Sequence, residues 1–237
     1  MNTPAKLKRR QLIGEIMDQP DLNQQRHFDA LRGLTRINRI SRASSVMWDP
    51  IERLARGTGR PLRILDLATG AGDLPIRLWQ LGQEAGLSLN IAACDKSPTA
   101  LQYARNNARR AEADVKFFEL DLIDDDIPGE YDVIICSLFL HHLEVPAVVE
   151  LLRKIGDQVG QLLIVSDLRR SYGGYLLACL ATRLLTRSHV VHVDGPRSVR
   201  AAFTISEIHD MARQADLVDV RLARKWPCRF LLTWKRP

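Results

Sequence analysis

Cysteine is scarce in this chain, long apolar runs are missing, and nothing repeats. The four cysteines, Cys94, Cys136, Cys179 and Cys228, form no Cys-x-x-Cys pair and no zinc-ligand spacing, so no metal site is expected from them. Cys94 and Cys136 each close an apolar run and read as small buried hydrophobes of a reducing compartment. No run reaches the roughly 18–20 uncharged apolar residues that a membrane span needs. The best candidate, Tyr175 to Leu185, is shorter and contains Arg183, which leaves room for peripheral membrane contact only. The first ten residues are basic, but no apolar stretch follows them, so a secretory signal is not expected and a cytoplasmic location is. The 46% apolar content is enough for a packed core.

Charge is unevenly spread. Residues 1–60 hold 12 basic and 6 acidic side chains, 61–168 hold 9 and 17, and 169–237 hold 13 and 5. The basic flanks suit either an anionic partner or a solvated arginine-rich surface.

Hydrophobic periodicity predicts helices over 5–18 and 23–57, the second with a stripe of Phe28, Leu31, Leu34, Ile37 and Ile40. From residue 61 short apolar runs alternate with helical patterns. Strands are expected at 62–67, 89–94, 115–120, 131–138 and 162–166, with helices at 74–85, 98–111 and 146–156 between them. The runs are continuously apolar, as in parallel strands covered on both faces. A helical insertion is expected at about 169–203. A capping box of Thr204 and Glu207 opens a helix over 204–215. Runs at 217–223 and 229–234 flank Trp226-Pro227-Cys228 as a closing hairpin that adds an antiparallel last strand. The expectation is an α/β chain with a mainly parallel seven-stranded sheet. Residues 1–60 would form an N-terminal helical extension or lid, and 61–237 the main domain.

The strongest local signal is Asp66-Leu67-Ala68-Thr69-Gly70-Ala71-Gly72-Asp73-Leu74-Pro75, a strand running through a glycine turn into a helix. Glycines let the backbone approach a ligand closely, and the helix start offers free N–H groups. A dinucleotide site would read GxGxxG, but Pro75 stands at the third glycine position. Asp66 would repel a pyrophosphate and suits an ammonium group, which favours S-adenosylmethionine over NAD. Ala68 is compatible with the turn if its φ is negative. Asp95, followed by Lys96, ends the second strand, where an acid accepts from ribose hydroxyls. Asp121 ends the third, where a carboxylate can accept from an adenine amino group with Leu122 against the ring.

These segments, together with Cys136-Ser137-Leu138-Phe139-Leu140-His141-His142-Leu143, resemble the class I S-adenosylmethionine-dependent methyltransferases, strongly over about residues 60–168. The LDLATGAGD turn is similar to that of quinone-biosynthesis C-methyltransferases and their small-molecule relatives. Asp167-Leu168-Arg169-Arg170-Ser171 and the 192–204 segment are similar to methyltransferases found beside type III polyketide synthases. The resemblance implies a Rossmann-like fold with S-adenosylmethionine as donor and S-adenosylhomocysteine as product. It also implies that Asp66, Gly70 and Gly72 hold the methionine part, Asp95 the ribose, and Asp121 and Leu122 the adenine, with Ala68, Thr69 and Lys96 also among the cofactor-binding residues. Ser137 would lie beside the transferring methyl.

Displacement from a sulfonium releases a neutral thioether and needs no acid, while a phenol or activated-carbon acceptor calls for a base, often His. Candidates are His142, His141 and His192, the last with His189 and Asp194 either as an imidazole–carboxylate pair or as a polar turn before Gly195-Pro196. The expected acceptor is a small aromatic, phenolic or polyketide-like molecule, apolar or anionic. The basic flanks leave an RNA or protein methyltransferase as an alternative. The [ND]PP[YF] segment of base-methylating enzymes is replaced by Ser137-Leu138-Phe139-Leu140, so no nucleic-acid partner is expected. A non-catalytic cofactor-binding module is the third reading.

Overall fold

The computed structural model describes residues 7–19, 21–41 and 43–237. Its strands are β1 (Leu62–Leu67), β2 (Leu89–Asp95), β3 (Val115–Glu119), β4 (Tyr131–Ser137), β5 (Val159–Leu168), β6 (Arg221–Lys225) and β7 (Arg229–Lys235). They form one sheet in the order β3-β2-β1-β4-β5-β7-β6. β1 to β5 pair in parallel, and β7 runs antiparallel to both β5 and β6. The Rossmann-like reading and the antiparallel closing hairpin are both realised.

Alternate residues of each central strand feed cores on opposite faces. Leu65, Leu67, Ile134, Cys136, Leu163 and Val165 pack on α5 (Val145–Gln158) and α8 (Ile205–Gln214). Leu62, Ile64, Val133, Ile135 and Ile164 pack on α2 (Ala43–Thr58) and α3 (Asp73–Glu84). Apolar cover on both faces is why these strands read as unbroken apolar runs. Met47, Ile51 and Ala55 put α2 inside the second core, although it precedes the first strand. α4 (Pro98–Arg110) starts from Ser97, whose hydroxyl accepts from Ala100 N. α8 starts from the expected Thr204–Glu207 capping box.

The N-terminal part departs from the periodicity. The predicted helix over 5–18 is, among the described residues, an irregular strap with one 3₁₀ turn at Ile16–Asp18; residues 1–6 lie outside the described range. Its polar backbone is satisfied across the molecule instead of within a helix. Gln11 N donates to Arg200 O (3.0 Å), and Ile16 N and Met17 N each donate to the Asp194 carboxylate (3.0 Å). The single helix predicted over 23–57 is two, α1 (Gln24–Ile40) and α2. At the end of α1 the buried Arg229 Nη2 donates to Asn38 Oδ1 (3.0 Å) and Ser41 Oγ (3.2 Å). The insertion is a helix pair, α6 (Tyr172–Leu185) and α7 (His189–Ala201). The strand expected from 217 begins at Arg221, because Leu217 leaves α8 to pack into the core.

Asp132, buried at the start of β4, accepts from both Arg60 terminal nitrogens (2.9 and 2.5 Å), Arg63 N (2.9 Å) and Gln161 Nε2 (2.9 Å). The Arg60 hydrogen bonds hold its carboxyl down at about 2, against an ordinary 3.8. A depressed carboxyl stabilises the fold above its unfolded pKa and loses that contribution as pH falls through its folded value. Asp132→Asn should therefore lower stability by about 1–2 kcal/mol at pH 7. The gap to wild type should close between pH 4 and 2 in urea titrations followed by circular dichroism.

Candidate active site

The C-terminal ends of β1, β2, β4 and β5 meet at one edge of the sheet. After β1 the chain turns sharply through Ala68 (φ 51°), Gly70 (φ 55°) and Gly72 (φ 72°) into α3. Ala68 was expected at negative φ; it is left-handed, so its methyl group costs about 1 kcal/mol there. The turn is tied to β2: Thr69 N donates to Cys94 O (2.9 Å) and Gly70 N to Asp95 Oδ2 (2.8 Å). Gly72 serves packing more than ligand approach, since a Cβ there would lie 2.9 Å from Ala104 Cβ and 3.2 Å from the Phe117 ring. Gly70 is open apart from Leu31 of α1, 4.0 Å from where its Cβ would be.

Asp66 is 1% exposed. Its Oδ2 accepts from Thr69 Oγ1 (2.6 Å), while Oδ1 has no partner among the described residues. Burial pushes its carboxyl up to about 8. An orphaned carboxylate oxygen beside an open glycine turn is what a cationic ammonium group needs as a partner. Asp95 accepts from Ser97 N (2.9 Å) through Oδ1 and from Gly70 through Oδ2, which fixes both oxygens and leaves lone pairs for ribose hydroxyls. Burial raises its carboxyl too. Asp121 Oδ1 accepts from Ile123 N (2.9 Å) in the loop after β3. Leu122 lies in the core beside Leu120, and Lys96 is exposed. Sequence reasoning named no residue of the N-terminal segment as packing over this end. Leu31 and Phe28 of α1 pack on Ala71, Ala100 and Tyr103, and His27 lies close enough to feel the Asp95 charge.

Ser137, the last residue of β4, stands in register with Ser166 of β5. A left-handed Leu138 (φ 55°) then leads to a 3₁₀ turn at Leu140–His142. His141 is buried. Its Nδ1 lies 2.7 Å from Asp167 Oδ1, and its backbone N donates to Asp167 Oδ2 (3.1 Å). Its Nε2 faces Glu15 Oε1 of the strap at 3.7 Å. Burial alone would lower the imidazole, but the Asp167 charge and hydrogen bond, joined by Glu15, raise it to about 10. Asp167 and Glu15 are both held below their ordinary values by His141, against burial. Glu15 also accepts from Ser198 Oγ. His142 is partly exposed, pairs with Asp18 Oδ2 (2.9 Å), and its ring centroid is 4.3 Å from that of His141.

One ligating atom each from Glu15, His141 and His142 falls within 4.8 Å of the others, a grouping that cysteine spacing does not reveal. Here the buried Asp167–His141–Glu15 ion pairs account for it. Glu15, Asp18 and Asp167 were not among the expected site residues. Only Asp167 carried a signal, as the acid ending the fifth strand. His192 is not part of the site. It lies in α7 rather than in a turn, its Nε2 is 2.8 Å from Thr186 O, and Asp194 is engaged with the strap instead of pairing with it.

Residues 64–159, which span β1 to the start of β5 and hold this edge, match the family described as "Methyltransferase domain". Over these residues the chain carries a methyltransferase domain and is similar to the class I S-adenosylmethionine-dependent methyltransferases. The methyltransferase is 26% identical over 218 residues to a ubiquinone biosynthesis O-methyltransferase of Hydrogenovibrio crunogenus, covering 85% of each chain. Magnesium protoporphyrin IX methyltransferase from Synechocystis PCC 6803, solved with bound SAH, shares the fold at TM-score 0.59 and 17% identity, with 94% of this chain and 91% of that one covered. An O-methyltransferase family 2 protein from Planctomyces limnophilus, solved with apigenin, aligns at TM-score 0.56 and 18% identity over 74% of this chain; the match spans half of that longer protein.

S-adenosylmethionine supplies the methyl group. If its ammonium pairs with the free oxygen of Asp66, it would favour the ionised carboxylate, which burial disfavours by raising the carboxyl to about 8. Binding should release a proton below that pH, and affinity should rise up to about tenfold per unit as pH approaches 8. Calorimetry in buffers of different ionisation enthalpy reads this directly, and Asp66→Asn should abolish the pH dependence along with most of the affinity.

Proposed function

We propose that this methyltransferase methylates an ionisable hydroxyl on a small aromatic molecule of phenolic, quinol or polyketide type. The observation that carries this reading is the buried Asp167–His141–Glu15 line beside the β4 end. The apigenin-bound neighbour and the ubiquinone-pathway relative act in its favour.

Asp167 holds His141 through Nδ1 and leaves Nε2 pointing toward the strap. The Glu15 carboxylate occupies the position that an acceptor oxygen would take against Nε2. With its imidazole raised to about 10, His141 is protonated at neutral pH and sets a cation against the acceptor oxygen, which favours ionisation of a phenol whose own pKa is about 10. The Glu15 carboxylate, which faces the same nitrogen, would take the hydroxyl proton, and the His141 imidazolium would keep the resulting oxyanion paired for attack on the methyl carbon. The leaving thioether is neutral and needs no proton from the protein. The strap and α1 exclude water, and holding the partners in line contributes several kcal/mol of the barrier reduction, on the order of 7 or more. An acceptor of this kind needs no nucleic-acid-binding module, and a cytoplasmic enzyme fits the reading.

Incubation with isotope-labelled donor and a panel of phenols and hydroxyquinones should give O-methyl products by mass spectrometry. His141→Gln should lower kcat by about 10²–10⁴ while leaving donor affinity within about twofold. Asp167→Asn should lower kcat as well. Wild-type turnover of phenols by His141→Gln, or transfer to amines alone, would overturn the assignment.

A further inference from the structure

One face of α6 carries Tyr172, Leu176, Leu180 and Leu184 at four-residue spacing, 52%, 48%, 57% and 71% exposed. A spacing of four keeps them in one row. The opposite side of the helix holds the buried Gly174 and Thr182 and packs on α7 and α1. Soluble monomers rarely expose a contiguous apolar row of this kind.

Two further apolar groups adjoin it. A Cβ on Gly174 would lie 3.2 Å from Cys228 Cβ, which puts the β6–β7 hairpin tip and its Trp226, 68% exposed, beside the start of α6. The strap, with exposed Leu12 and Ile13, is joined to the same region, because Gln11 N binds Arg200 O and Arg200 Nη2 donates to Tyr175 Oη of α6 (2.7 Å).

Residues 169–193 contain four arginines and no acid; Arg170 is buried against Glu207, and Arg183 and Arg187 face outward. Arg183 and Arg187 are exposed at the far end of the ladder, and Arg36 joins them there by donating to Leu185 O (2.9 Å). We infer that this face docks onto an anionic lipid bilayer, with the leucine ladder and Trp226 in the interface and the arginines on the headgroups. An amphipathic helix with apolar residues on one face, arginines beside them and tryptophan at its edge is suited to lying in that interface. At about 21 Å, 14 residues are too short to cross a bilayer, so the helix lies flat. A second copy of the chain is the poorer occupant, because pairing two such faces would bring cations against cations.

The consequence for catalysis rests on the proposed function: Leu12 and Ile13 lie between Arg10, which donates to His141 O (2.9 Å), and Glu15, so an acceptor dissolved in lipid would meet the site cover directly. The test does not rest on it. In flotation assays, the full chain should rise with vesicles of equal parts phosphatidylcholine and phosphatidylglycerol and stay behind with phosphatidylcholine alone. Leu180→Glu/Leu184→Glu should abolish flotation without changing thermal unfolding or S-adenosylmethionine binding. Each of Arg183→Gln and Arg187→Gln should weaken it about fivefold, and salt should weaken it further. No flotation with anionic vesicles, or flotation that the leucine variant leaves intact, would overturn the inference. So would a dimer in light scattering that the leucine variant dissolves, which would assign the face to self-association. Failure of phenol methylation would leave these outcomes untouched.

Discussion

Parallel strands buried on both faces can carry polar side chains only at their ends, and the chemistry of this protein is arranged by that constraint. Asp66, Asp95 and Asp167 end β1, β2 and β5 at one edge. Each must be compensated where it stands, because burying an isolated carboxylate costs several kcal/mol or more. Asp95 is compensated by two backbone N–H groups, and Asp167 by an imidazole and two backbone N–H groups. Asp66 is compensated by one hydroxyl on one oxygen only, and the other has no partner among the described residues. The same burial therefore defines a stable edge and leaves on it a carboxylate oxygen able to accept from a cationic group.

The second organising feature is that remote segments close this edge. Ile16 and Met17 pack the strap against Ala30, Val190 and Val191, and polar anchors hold the rest of it. Arg10 donates to the carbonyls of Ala201, His141 and Leu143 and stacks over Phe203 at 4.2 Å. Asp194 receives two strap N–H groups. Segments held by hydrogen bonds more than by apolar contact open at lower free-energy cost than the core. A cover of that kind suits a site that must exclude water during transfer and admit an acceptor between turnovers.

Much of the fold was legible because its signals are local. Continuous apolar runs marked β1, β2, β4 and β5, Thr204 and Glu207 marked the start of α8, and the Asp66–Asp73 segment marked the ligand turn. The misreadings share one cause. Residues 5–18 have helical periodicity, yet in the strap the backbone bonds go to Asp194 and Arg200, nearly the whole chain length away. Ala68 reads as compatible with a turn at negative φ, yet it is left-handed in the turn that Gly70 ties to Asp95.

By itself the sequence determined the alternation of strands and helices, the acids at the strand ends and the kind of cofactor they suit, since side-chain period and turn chemistry act over a few residues. Tertiary structure alone decided which histidine is buried between carboxylates. His141 and His142 are adjacent and chemically identical. Only the closing of β5 beside β4 places Asp167 on one of them, and only the return of the strap places Glu15 against its free nitrogen and Asp18 against the other. Electrostatic roles depend on distance and burial, and those exist only once the chain has folded.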